Sequence, residues 1–203
     1  MKRLLLCYFC VLLFGCSPSF QVVPVEYDEP VSIKTNHRAT LEFLTGMVTS
    51  RYGPGNEFNF TVQDQQIFFT SLKNELNRLG LVRIVEKGVA PEDPIDINIK
   101  IRFDRTYYSP TVHEYLLLIT MHEYLLYARM EIKGEKGTFH RKYRILSWEG
   151  DSLWQKMKTL AWEGKEQAAK KLLRVLIKDI EEYLIDNLQE VRDRPNKSTQ
   201  IPP

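Results

Sequence analysis

Apolar and polar residues alternate most regularly from Ile95 to Phe103. Ile95, Ile97, Ile99, Ile101 and Phe103 fall on one side of an extended chain, and Asp96, Asn98, Lys100 and Arg102 on the other. A period of two predicts a strand with one core face and one solvent face. Such strands belong to antiparallel sheets covered by helices on one side. Two longer stretches carry the helical period instead. From Val62 to Leu79, Ile67 or Phe68, Phe69, Leu72, Leu76 and Leu79 make an apolar stripe. Thr61 is placed to cap it, Asp64 stands three residues on, and Gly80 occupies the position past the end. From about Glu163 to Gln189, Ala169, Leu172 or Leu173, Leu176, Ile180, Leu184 and Leu188 make a second stripe, with Lys and Glu opposite.

The remaining segments fill in a sheet. Val31–Lys34 alternates and is expected to be the first strand; residues 37–52, with Leu41, Phe43, Met47 and Val48, fit neither period. Gly53-Pro54-Gly55-Asn56 reads as a turn, and Leu81–Glu86 as a strand. Asp104–Thr111 is a tyrosine-rich turn region. Val112–Lys133 reads as a bent or split strand, with a helix as the alternative for its first half. Its second half sets Tyr124, Leu126, Ala128, Met130 and Ile132 against Leu125, Tyr127, Arg129, Glu131 and Lys133. Gly134–Gly137 is a hairpin loop, and Thr138–Trp148 is the return strand, polar enough in its first half to lie near an edge. The expected architecture is α+β: a mainly antiparallel sheet with two amphipathic helices packed on one face.

The chain begins differently. Lys2 and Arg3 precede the apolar run Leu4–Phe14, which is the length of a signal-peptide core and too short to span a bilayer as a helix. The run closes with Leu13-Phe14-Gly15-Cys16, followed by Ser17-Pro18. This resembles the lipobox of bacterial lipoproteins, although a residue smaller than Phe14 is usual at that position. The resemblance implies removal of residues 1–15 as a signal peptide and diacylation of Cys16, with the new amine acylated as well. Two or more acyl chains give stable membrane anchoring where one does not. Ser17 resembles the outer-membrane class of lipoprotein sorting signal. On this reading residues 16–30, with Pro18, Pro24 and Pro30, form the acylated cysteine and its tether. Residues 31–190 are one domain and 191–203 a disordered tail.

Composition narrows the function. Removing Lys2 and Arg3 from 28 basic residues against 26 acidic ones brings the formal charge to about zero, so no nucleic-acid-binding field is expected. Cys7 and Cys10 leave with the signal and Cys16 is acylated, so the mature domain has no cysteine for a disulfide or a metal. The pentapeptide His-Glu-Tyr-Leu-Leu occurs at His113–Leu117 and again at His122–Leu126. It lacks the second histidine of a zinc helix, because Leu117 and Leu126 stand there. No nucleophile elbow, phosphate loop or dinucleotide-binding glycine pattern is present. No enzyme, cofactor or metal is expected. One stretch invites a binding role: Tyr107, Tyr108, Tyr115, Tyr124 and Tyr127 could supply large, rigid contact area. The ordinary enrichment of tyrosine in strands accounts for them as well.

The order of elements behind the lipobox resembles the YajG-like outer-membrane lipoprotein family. It shares the helix ending at Leu79-Gly80, the Ile95–Phe103 strand, the Gly134–Tyr143 hairpin, the Trp148-Glu149-Gly150 position and the alanine-containing last helix. The LPS-assembly lipoprotein (LptE) family and the auxiliary lipoproteins of ABC-type lipid transporters are similar in architecture. The resemblance implies a non-catalytic, lipid-anchored envelope module, facing the periplasm from the outer membrane and binding a protein or lipid partner. The alternative it implies is an accessory subunit of an LPS-assembly or ABC-type lipid-transport machine.

Overall fold

The computed structural model describes residues 33–35, 37–50, 58–85, 95–112, 120–147 and 161–192. Helix α1, Val62–Leu79, has the limits its sequence predicts. Asp64 N donates to Thr61 Oγ1 at 3.1 Å and Thr61 N donates to Asp64 Oδ2 at 2.7 Å, closing both halves of the capping box. Gly80 ends the helix at φ 69°, a left-handed conformation that glycine adopts without steric cost, and its N–H donates to the Asn77 carbonyl at 3.1 Å.

Six strands form one sheet: β1 (Arg38–Leu44), β2 (Met47–Ser50), β3 (Arg83–Val85), β4 (Ile97–Val112), β5 (Thr120–Gly134) and β6 (Gly137–Leu146). Their order is β3-β1-β4-β5-β6, with β2 paired to β4 alone. The class is the expected α+β, and the sheet is mixed. β4, β5 and β6 form a long antiparallel meander, while β1 runs parallel to β3 and β4, and β2 parallel to β4. Parallel neighbours require a crossover, and α1 supplies it between β2 and β3.

Two expectations are corrected. The first strand is Arg38–Leu44. Ile33 and Lys34 are not in a strand; the chain there leads to Thr35, whose N–H donates to the Gly80 carbonyl at 2.8 Å and whose hydroxyl donates to the Leu81 carbonyl. Residues 31 and 32 lie outside the described residues. Asp104–Thr111 is strand, not turn. A β-bulge between Phe103 and Arg105 shifts the register, so the buried side switches from Ile97, Ile99, Ile101 and Phe103 to Thr106 and Tyr108. That change of parity is what disguises the second half of β4.

The same bulge explains the ambiguous segment beside it. Leu44 pairs with Arg102 and Met47 with Arg105, leaving Thr45-Gly46 opposite the bulge as a break between β1 and β2. A Cβ on Gly46 would lie 2.2 Å from the Phe103 carbonyl oxygen, so only glycine fits. The buried Gln65 of α1 repairs the ladder, its Oε1 accepting from Gly46 N at 2.8 Å.

Helix α2, Ala161–Arg192, begins before the predicted Glu163 and includes Trp162. It also includes Val191 and Arg192, which the sequence reading places in the tail. Residues 193–203, the segment 113–119 and the whole of 1–32 lie outside the described residues. Both helices cover one face of the sheet. Phe68, Leu72 and Leu76 of α1 join Leu172, Leu176, Ile180 and Leu184 of α2 in a single core with the inward side chains of β4 and β5. Each such fully buried aliphatic side chain contributes about 1.5–3 kcal/mol relative to exposure. The helices are also joined by a buried ion pair, Lys165 Nζ to Asp64 Oδ2 at 3.0 Å, so Asp64 serves cap and bridge together. Among the described residues no helix is long and apolar enough to cross a membrane.

Candidate functional site

With both helices on one side, the other face of the sheet is uncovered among the described residues. Its lower half is charged, as the alternation of β4 predicts. Lys100 pairs with Glu42 of β1 at 3.6 Å, and Arg102 lies 3.7 Å from Asp104. Arg129 also donates to Asp104, through Nε at 2.8 Å. Lys133 pairs with Glu131 at 3.1 Å and holds its carboxyl below the usual carboxylate range. On β6 the alternate positions His140, Lys142 and Arg144 share this face, since their partners are Glu131, Arg129 and Tyr127. Leu44, Lys100, Arg102, Arg129, His140 and Lys142 line an open groove of about 660 Å³ here.

Above the bulge the face changes character. Met47 pairs with Arg105, and Tyr107 with Leu125, so these side chains point outward with Tyr127. Leu44 is 37% exposed and Met47 59%. The outward face therefore carries an apolar and aromatic patch beside the arginines of β4.

The five tyrosines singled out in the sequence do not form one surface. Tyr108 and Tyr124 are buried, their rings 5.0 Å apart, and the Tyr124 hydroxyl donates to the Phe58 carbonyl at 2.7 Å. Burial above all, with Tyr108 and Asp64 nearby, pushes the Tyr124 hydroxyl pKa up. These two are core residues. Tyr107 and Tyr127 are half-buried on the open face. Tyr115 and Cys16 lie outside the described residues. The ordinary alternation of β4 and β5 divides the tyrosines. The parity switch at Asp104 hid Arg105, and Met47 stood in the segment that fits neither period. Arg102 was legible as a solvent-face residue.

A second concavity of about 570 Å³ lies at the hairpin end of the sheet, lined by Ile95, Ile97, Lys136, Tyr183, Leu184 and Asn187 among others. His37 Nδ1 lies 3.2 Å from Asp96 Oδ2 at its rim, and that carboxylate also accepts from Arg38 N at 2.9 Å. The Lys136 ammonium donates to the Asn187 carbonyl at 2.7 Å, tying hairpin to helix.

The remaining buried polar cluster is inside. Asp179 of α2, 3% exposed, accepts from the Tyr143 hydroxyl and from Arg141 Nη1, both at 2.6 Å. Burial raises the Asp179 pKa, against the opposing effects of Tyr143 and Arg141. Burial, then the bond to Asp179, raises that of Tyr143. The network fixes β6 to α2, with Arg141 at its half-exposed end. Among the described residues no three His, Cys, Asp or Glu side chains converge as a metal site.

No protein-family model and no curated protein matches the chain. Solved structures are similar in outline. A DUF330 protein from Xanthomonas campestris has a TM-score of 0.49 at 9% identity, over 87% of this chain and 93% of its own. A hypothetical protein from Chlamydia trachomatis has a TM-score of 0.49 at 8% identity, over 75% of this chain and 99% of its own. A neuraminyllactose-binding hemagglutinin homolog from Helicobacter pylori has a TM-score of 0.42 at 11% identity, over 85% and 100%.

Proposed function

We propose that the chain is a lipid-anchored bacterial envelope lipoprotein whose single α+β domain is a non-catalytic module for binding a protein or lipid. The observation that carries this reading is the apolar run Leu4–Phe14 ending in Leu13-Phe14-Gly15-Cys16, behind a basic pair and ahead of a proline-containing spacer. The domain supports it from the other end, since its sheet leaves one face open. The YajG-like pattern and Ser17 favour the outer membrane, with the domain on the periplasmic side.

The mass of the N-terminal peptide from the membrane fraction tests the anchor. The expected result is a peptide beginning at Cys16 and carrying two or three acyl chains. An intact Met1, or an unmodified Cys16, overturns it. Co-purification in mild detergent tests the module: a stoichiometric β-barrel or ABC-transporter partner would move the reading to an accessory subunit of that machine.

A further inference from the structure

We infer that the open sheet face lies flat on an anionic phospholipid surface, with Leu44 and Met47 entering the interface and the surrounding arginines and lysines holding phosphate groups. The inference rests on the envelope reading for the tether and for which membrane is met.

Three observations converge on it. The first is charge. The formal charge of the proposed mature chain is about zero. Yet the outward cations Lys100, Arg102, Arg105, Arg129, Lys133, Lys142 and Arg144 outnumber the outward carboxylates of Glu42, Asp104, Glu123 and Glu131. A near-neutral protein with a one-sided excess of positive charge is polarised, and an anionic surface would orient it. Among the described residues no ion pair is made by Arg105, Lys142 or Arg144, whereas Glu42, Asp104 and Glu131 are each spent on neighbours.

The second is the apolar patch. Leu44 and Met47 flank the break at Thr45-Gly46, where the chain bends away from regular pairing, and they stand exposed between Arg102 and Arg105. Tyr107 and Tyr127 lie beside them, half-buried. Exposed aliphatic groups ringed by arginine, with tyrosines whose rings are apolar and whose hydroxyls are polar, suit the headgroup boundary of a bilayer. A bilayer offers hydrocarbon beneath a plane of phosphates, and so matches the apolar and the cationic groups together.

The third is reach. Sixteen residues separate Cys16 from Ile33, and a chain of that length spans at most about 60 Å when extended. A domain tethered so closely can lay either face on the bilayer that holds it.

The test uses the full chain with Cys7→Ser and Cys10→Ser, purified from membranes and reconstituted in vesicles. A fluorophore is attached through Met47→Cys or, as a control on the exposed surface of α2, through Arg174→Cys. Quenching by nitroxide-bearing lipid reports contact. In vesicles with about a third phosphatidylglycerol, position 47 is expected to be quenched several-fold more than in phosphatidylcholine alone, and position 174 to be unchanged. Salt of about 0.5 M should abolish the difference. Arg105→Gln, Lys142→Gln and Arg144→Gln together, all exposed, should lower the surface-bound population on the order of a hundredfold, at about fivefold per cation. Equal quenching at both positions, or no dependence on phosphatidylglycerol, overturns the inference. So does protection of position 47 that follows protein concentration, which would mark an interface between copies. If Cys16 proves unmodified, the envelope reading fails by itself. The Cys16→Ser chain added to preformed vesicles then reports on the sheet face independently.

Discussion

Asp64 and Asp179 show how single carboxylates hold the two helices. Asp64 closes the cap of α1 and faces Lys165 of α2 in a buried pair. Asp64→Ala removes the cap and takes a carboxylate from a buried ammonium, and is expected to cost about 3–5 kcal/mol in urea unfolding. Lys165→Met keeps the cap and the volume but removes the cation beside the buried Asp64 carboxylate, which still accepts from Thr61, and should cost less than Asp64→Ala. Asp179 makes a pH prediction. Its pKa is raised in the folded state, chiefly by burial. The folded chain therefore holds that proton more tightly than the unfolded one. The group's contribution to stability is fully present below the ordinary carboxylate range and is lost as pH rises through the raised value. Asp179→Asn has no such dependence. The stability of the natural chain relative to that variant should increase as pH falls from neutral through the carboxylate range; a constant difference in unfolding midpoint would contradict the raised pKa. At this scale the sequence was legible where the interaction is local, as in Thr61 and Asp64. The Asp64–Lys165 pair was not, because its partners stand far apart in the chain and nothing in either segment marks them as buried.

Elements with one unbroken period were legible: α1 with its boundaries, the first half of β4 though it starts at Ile97 and not Ile95, the second half of β5, and the Gly134–Gly137 hairpin. Those whose period breaks were not. β1 and β2 read as neither helix nor strand because Thr45-Gly46 interrupts them, and the second half of β4 read as a turn because the bulge shifts its parity. Both failures have one physical source, the apposition of Gly46 and Phe103. Gly46→Ala brings a methyl group against a backbone carbonyl and should cost at least about 3 kcal/mol, read as a drop in thermal midpoint. Gln65→Leu keeps the volume but leaves the buried Gly46 N–H without an acceptor, for about 1–3 kcal/mol. The candidate surface was half legible for the same reason: Lys100 and Arg102 precede the bulge, Arg105 and Tyr107 follow it.

Across the whole molecule, local and distant pairings are unequally distributed. The β4-β5-β6 meander joins segments adjacent in sequence, while β1 and β2 pair with β4 across nearly sixty positions, as in Ala39 with Ile97. Distant parallel pairings form late and open at lower free energy than a meander roofed by a long helix. Amide hydrogen exchange under native conditions should show β2 and β3 opening first and the centre of β4 and β5 last. Uniform protection across the sheet would mean that the two halves unfold as one unit. No local pattern reveals such an order, since it depends on which strands meet, and the parallel half of the sheet was not apparent from periodicity.

The bulge at Asp104 also constrains descent. It is one residue of β4 too many for β5, so losing it would join Phe103 to Arg105 in regular alternation and leave Thr106 and Tyr108 facing the core. The antiparallel neighbour would gain by the loss and the parallel one would suffer. Leu44 to Met47 and Arg102 to Arg105 cover equal numbers of steps, so β1 and β2 could both stay in register only if the Thr45-Gly46 link lost a residue as well. Length changes at this point should therefore be inherited as coupled pairs, and a descendant with both losses would keep every face while its β4 alternated without interruption.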